Sequence, residues 1–197
     1  MINASKYKEY TAAILAGGRA RRFGGRHKPL ALLGGKTLLE HQLEVLDPLF
    51  DEILLITNEP EAFQPFSRLS MVTDMLPDKG PLGGIHSALY HASQQSVLVV
   101  AGDMPFLGEP VIREQIALSV EHPGQAIVPR RKEQTEPLHA IYPQNALETL
   151  ERYLKQAADR SVRSFLEHIP VYYQDVSEGT SFININTPEE LRRYEAD

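Results

Sequence analysis

Tyr10-Thr11-Ala12-Ala13-Ile14-Leu15 runs directly into Ala16-Gly17-Gly18-Arg19-Ala20-Arg21-Arg22-Phe23-Gly24-Gly25-Arg26-His27-Lys28-Pro29. The first six residues are nearly all apolar or β-branched, without strict alternation. A strand buried on both faces of a parallel sheet has this character. The glycine- and arginine-rich loop opens at the carboxyl end of that strand, where such sheets bind ligands. Four glycines and five cations lie between Gly17 and Lys28. Glycine lets backbone amides approach an anion, and arginine forks with a lysine supply compensating charge. A triphosphate is the natural guest, although a solvated basic surface loop has the same composition. The loop alone does not decide between them.

Working outward, strands are predicted at 53–57, 70–73 and 97–101, with helices at 37–46, 82–95 and 109–120 between and after them. Leu38, Leu39, His41, Gln42 and Val45 fall at helical spacing behind Thr37, a suitable N-cap. This alternation predicts a doubly wound α/β fold with a mostly parallel sheet. The second half is less regular: strands at 126–129, 138–142 and 171–174, helices at 144–156 and 161–168, and a segment 182–186 running into a helix begun by Thr187 and Pro188. Proline is favoured just inside a helix start. No internal repeat or linker separates the halves, so a single domain is expected over 1–197, with residues 8–125 taking the nucleotide and 126–197 the acceptor.

The chain of 197 residues carries a formal charge of −6, which argues against a general nucleic-acid binder because such proteins need a basic surface. Any phosphate site must therefore be built locally. The absence of cysteine excludes disulfides and thiolate metal sites and favours a cytoplasmic location. Residues 1–10 hold two lysines and no apolar run, so they are expected to form a short frayed arm rather than a signal peptide or membrane anchor.

A Walker A loop would place glycine five positions before Gly35-Lys36-Thr37, where Leu30 stands, and Gly17-Gly18 does not supply the dinucleotide fingerprint. Kinase-like and dehydrogenase readings are weakened. The histidines form no His-Glu-x-x-His motif and no Gly-x-Ser-x-Gly elbow occurs, which disfavours zinc hydrolysis and serine catalysis. Asp103 lies just beyond the strand at 97–101 and suits Mg²⁺, a hard ion commonly held by one or two carboxylates and substrate phosphates. It equally suits an Asx turn before Pro105. Asn58 and Asp74 succeed two other strands on the same rim, as ligand contacts or plain loop residues. Gly80-Pro81-Leu82-Gly83-Gly84 opens a helix whose amides could face a ligand, or whose glycines serve tight packing.

Leu15-Ala16-Gly17-Gly18, Arg22-Phe23-Gly24, Lys28, Gly80-Pro81-Leu82-Gly83-Gly84, Asp103-Met104-Pro105 and Asn184-Ile185-Asn186-Thr187-Pro188-Glu189-Glu190 resemble, in order, the blocks of the molybdenum cofactor guanylyltransferases. The resemblance implies a nucleotide-diphospho-sugar transferase fold of Rossmann-like type. It implies transfer of GMP from GTP to the phosphate of molybdenum-molybdopterin, with Mg²⁺ as cofactor and pyrophosphate released. Leu15, Ala16, Gly17, Gly18 and Gly80 would contact the nucleotide, Lys28 and Arg22 its phosphates, and Asn58 and Asp74 further parts of GTP. Asp103 would hold the metal, and Asn184 and Asn186 would lie near the pterin. Lys28, Arg22 and Asp103 are the catalytic candidates. Transient contacts with other molybdenum cofactor biosynthesis or acceptor proteins are implied, but none with nucleic acid or membrane. The chain departs from the family's common pattern at His27, where Asp is frequent, and at Phe23, where Met is. A cytidylyltransferase of the same fold, or a non-catalytic nucleotide or pterin carrier, are the alternatives.

Overall fold

The computed structural model describes residues 6–17, 27–76, 78–156, 159–177 and 179–195. In chain order the regular elements are β1 (Tyr10–Leu15), β2 (Leu32–Leu33), β3 (Lys36–Thr37), α1 (Leu38–Leu46), β4 (Glu52–Ile56), β5 (Ser70–Val72), α2 (Pro81–His91), β6 (Ser96–Ala101), α3 (Glu109–Glu121), β7 (Ala126–Arg131), β8 (Gln134–Thr135), β9 (His139–Pro143), α4 (Ala146–Gln156), α5 (Val162–Leu166), β10 (Val171–Asp175) and α6 (Pro188–Glu195). Turns of 3₁₀ helix lie at Lys28–Leu30, Pro60–Phe66 and Thr180–Phe182.

An eight-stranded sheet takes the order β10-β7-β9-β6-β1-β4-β5, with β8 pairing β7. Strand β1 is parallel to both β4 and β6, β4 to β5, and β7 to β10. Strand β9 is antiparallel to β6 and β7. The expected α/β fold with a mostly parallel sheet is therefore present, and β9 is the reversed strand that sequence could not orient. A separate two-stranded hairpin, β2-β3, has no counterpart in the sequence pattern.

Alternate residues of each central strand enter opposite layers. Ala12, Ile14, Leu98 and Val100 join Leu39, Leu43, Ile112 and Ile116 of α1 and α3. Ala13, Val97 and Val99 join Leu82, Ile85 and Leu89 of α2 and Leu150 and Phe165 of α4 and α5. Burial on both faces explains why these strands read as unbroken apolar runs.

Helix ends show what periodicity misses. Thr37 and Glu40 form a reciprocal capping box, so α1 starts where expected. Helix α2 stops at His91 rather than residue 95, because the Ser93 amide and hydroxyl donate to Glu52 at 3.0 and 2.7 Å and turn the chain into β6. Gln144 is spent outside α4, its amide on Gln95 O at 2.8 Å and its side chain on Leu89 O at 2.7 Å. Ser161 caps α5 rather than lying within it. The frayed N-terminal arm is corrected for its described part: Tyr7 N–H donates to Leu49 O at 2.7 Å, and its ring packs beside Tyr10 and Phe50.

Candidate active site

The carboxyl ends of β1, β4, β5 and β6 share one rim because the four strands are mutually parallel. Leu15 ends β1, and Ala16 N–H continues the ladder to Ile56 O at 2.9 Å. Gly17 then faces open space on its Cα. Gly18 and Arg22 lie outside the described residues. Beyond the basic loop stands His27, whose Nε2 is 3.0 Å from Glu59 and whose ring sits 5.3 Å from Phe63. The far end of that loop is thus moored to the turn after β4.

Lys28 starts the adjoining 3₁₀ turn and points back over the rim. Its Nζ donates to Asp103 Oδ2 at 2.7 Å and to Asn186 Oδ1 at 2.9 Å. Three regions distant in sequence therefore meet at one ammonium group. Asp103 Oδ1 is buried and has no hydrogen-bond partner. The carboxylate forms no Asx turn, because the residue two positions on is Pro105, which has no N–H to donate. The turn carrying it is held from below by Gln42, whose side-chain amide donates to Ala101 O at 2.7 Å and Met104 O at 3.0 Å. The helical pattern of α1 included Gln42 without revealing this task; its only sequence signal was a polar residue among the apolar positions of the helix, and its burial appears only in the structure.

Asn58 and Asp74 also meet, Asp74 N–H donating to Asn58 Oδ1 at 2.9 Å. Asp74 does make an Asx-type bond, accepting Leu76 N–H at 2.9 Å. The glycines after Gly80 show their packing role. A Cβ on Gly83 would lie 2.7 and 2.8 Å from the Asp74 carboxylate oxygens and 2.9 Å from Leu76 O. A Cβ on Gly84 would press on Leu15 at 3.1 Å. Gly80 itself has φ 59° and ψ −146°, a conformation glycine adopts readily. Gly102 is packed equally closely, its hypothetical Cβ 2.8 Å from Pro29 and 3.0 Å from Leu15 O.

In the segment after β10, Ile185 N–H donates to Asp103 O at 2.9 Å, which sets Asn184 and Asn186 on either side of that anchor. Asn186 is exposed and reaches Lys28, while Asn184 is half-buried. Glu190 accepts from the Asn186 and Thr187 amides, and Thr187 caps Glu190 in return at 3.1 Å. Among the described residues no cluster of three or more His, Cys, Asp or Glu side chains could enclose a metal.

The family model for the MobA-like NTP transferase domain matches residues 12–174. The molybdenum cofactor guanylyltransferase of Desulfosudis oleivorans is 33% identical over 195 residues, covering 94% of both chains. The chain belongs to the molybdenum cofactor guanylyltransferase family. As a member of that family it is a nucleotidyltransferase. The crystal structure of molybdopterin-guanine dinucleotide biosynthesis protein A from Archaeoglobus fulgidus superimposes with a TM-score of 0.80 at 33% identity, covering 94% of this chain and 97% of that one. The 2-C-methyl-D-erythritol 4-phosphate cytidylyltransferase of Thermus thermophilus has a TM-score of 0.68 at 20% identity, covering 95% and 98%. That likeness shows the shared nucleotidyltransferase fold alone. Among the described residues no helix is long and apolar enough to cross a membrane.

Proposed function

We propose that this protein transfers GMP from GTP to the phosphate of molybdenum-molybdopterin, forming the guanine dinucleotide cofactor and pyrophosphate. The observation that supports the reading is the convergence of Lys28, Asp103 and Asn186, three residues that the proposal assigns to the nucleotide, the metal and the acceptor. Family membership supplies the substrates. A non-catalytic carrier would have no need for a carboxylate and ammonium focused between two substrate regions.

A phosphate monoester has a second pKa of about 6, so the acceptor is largely dianionic at neutral pH. No general base is required, and alignment and charge neutralisation carry the rate. Lys28 has three N–H donors, and its position at the rim lets it exchange Asp103 and Asn186 for triphosphate oxygens. Together with Arg22 it would offset charge on the departing pyrophosphate while the acceptor oxygen attacks the α-phosphorus in line. Leu15, Ala16, Gly17, Gly18 and Gly80 line the nucleotide side in this reading, with Asn58 and the Asp74 it supports toward base or ribose. Asn184 and Asn186 lie toward the acceptor.

The unpartnered, buried Oδ1 of Asp103 fits Mg²⁺, because a lone carboxylate completed by substrate phosphates is an ordinary magnesium arrangement. When bound, the ion would neutralise phosphate charge. A cytoplasmic location, a single domain divided near residue 125, and transient contact with proteins that make or accept the cofactor complete the proposal. The direct assay follows pyrophosphate release with molybdopterin, Mg²⁺ and either GTP or CTP. Release with GTP well above CTP is expected; a preference for CTP would assign the cytidylyl reaction, and tight GTP binding without product would make the protein a carrier.

A further inference from the structure

Across β6 from the nucleotide rim lies a group of polar side chains to which the proposed reaction gives no role. Among the described residues nine buried side-chain nitrogen or oxygen atoms lack a hydrogen-bond partner, and five belong to Arg131, His139 and Gln174. His139 is fully buried and Gln174 only 2% exposed. Native interiors rarely leave such groups unmatched without a ligand, water or functional reason.

The register brings them to one face. Gln174 on β10 stands opposite Pro129 on β7, two residues before Arg131. Ile127, two residues before Pro129, stands opposite Ile141 on β9, two residues after His139. Side chains two apart on a strand share a face, so His139, Pro129, Arg131 and Gln174 do as well. Above them sits Phe182, its ring 5.0 Å from the His139 ring and 5.4 Å from the Arg131 guanidinium. The group also adjoins the reaction centre. His139 is registered with Val100, three residues before Asp103, and Phe182 leads into Ile185, whose amide is bonded to Asp103 O.

We propose that this slot between Arg131 and His139, with the Gln174 amide beside it, receives the flat heterocycle of the phosphorylated acceptor, whose ring takes the place the Phe182 ring now holds. The choice of acceptor rests on the proposed function. Chemistry selects the guest. Arg131 is ion-paired with Glu136, so the slot has little excess charge for a phosphate. Burial pushes His139 down to about 4, so at neutral pH its imidazole offers one donor and one acceptor. The Gln174 amide offers a donor beside an acceptor, the complement of the N–H and C=O edge of a fused pyrimidinone. The guanidinium already lies over one flat ring and the imidazole meets that ring edge-on, contacts that another flat ring can take over.

Gln174→Leu and His139→Phe remove the polar atoms while keeping approximate volume. With GTP saturating and molybdopterin varied, each is expected to raise the KM for the acceptor about 10-fold, the cost of one lost hydrogen bond of ordinary strength, and to leave the KM for GTP unchanged. Both variants should melt at or above the wild-type temperature, since unsatisfied polar groups are removed. An unchanged acceptor KM overturns the proposal, whether Tm rises, marking a packing defect, or falls, marking an internal water site. An equal rise in the KM for GTP overturns it too. Fluorescence titration with free 6-hydroxymethylpterin separates this idea from the proposed reaction. If wild type makes no product with molybdopterin yet binds the pterin about 10-fold more tightly than either variant, the reaction is wrong and the slot stands. Equal pterin binding by all three proteins removes the slot.

Discussion

In the proposed reaction Lys28 and Asp103 are the residues on which the site turns. Their pair is only partly shielded, with side-chain exposures of 26% and 21%, so its value to stability is small and its value to function rests on where it lies. Lys28→Ala is expected to lower kcat on the order of 10²-fold if the ammonium stabilises charge in the transition state. Steady-state pyrophosphate release measures this, and full activity would reduce Lys28 to a surface residue. Asp103→Ala should abolish metal-dependent release with an unchanged circular dichroism spectrum; unaltered turnover would remove the metal assignment. His139 supplies a stability test. Its folded pKa of about 4 lies below the usual histidine value of about 6.5. Between these values the unfolded chain binds the extra proton, so stability is full above the unfolded pKa and falls as pH drops, by about 1 kcal/mol per pH unit for one proton. Urea titrations at pH 7 and pH 5 should show a smaller loss for His139→Phe than for wild type. Equal losses would mean that His139 does not stay neutral in the folded protein.

At the scale of elements, β1, β6 and the capped start of α1 were legible because burial on both sheet faces and an N-cap threonine each leave a local pattern. The direction of β9 was not legible, since His139-Ala140-Ile141-Tyr142 reads alike in a parallel or antiparallel ladder. The contacts of Gln42, Arg131 and Gln174 also lay beyond local pattern, because each partner is set by tertiary register. Sequence could place Asp103 and Lys28 on loops near one rim, yet only packing showed that they touch and that Asn186 joins them. The glycines after Gly80 suit either packing or ligand contact by sequence, and the contacts of Gly83 and Gly84 establish close packing while the ligand-facing role remains a proposal. Gly83→Ala should displace the Asp74 carboxylate, because a helix N-terminus fixed by Pro81 leaves the added carbon little room. The expected readout is a KM for GTP raised about 10-fold, the equivalent of one hydrogen bond, with a lowered Tm. A variant with wild-type KM would separate Asp74 from nucleotide binding.

For the whole molecule, a chain of net charge −6 concentrates cations in the sequence between Gly17 and Lys28, and Lys28, at the end of that run, meets Asp103, whose Oδ1 has no hydrogen-bond partner. The parallel half of the sheet builds the nucleotide rim, while β9 reverses and brings β7, β10 and the segment after β10 to the other side of Asp103. In the proposed reaction the two substrate regions would thereby face one reaction centre. A cytidylyltransferase shares this architecture, so the fold alone does not choose nucleotide or acceptor, and the residues around the site must. The most direct measurement is a crystal structure with GTP and Mg²⁺. The triphosphate is expected between the loop after β1 and Asp103, with Lys28 moved from Asp103 Oδ2 onto a phosphate oxygen. GTP bound elsewhere, with the 2.7 Å Lys28–Asp103 contact intact, would contradict a shared reaction centre at these two residues.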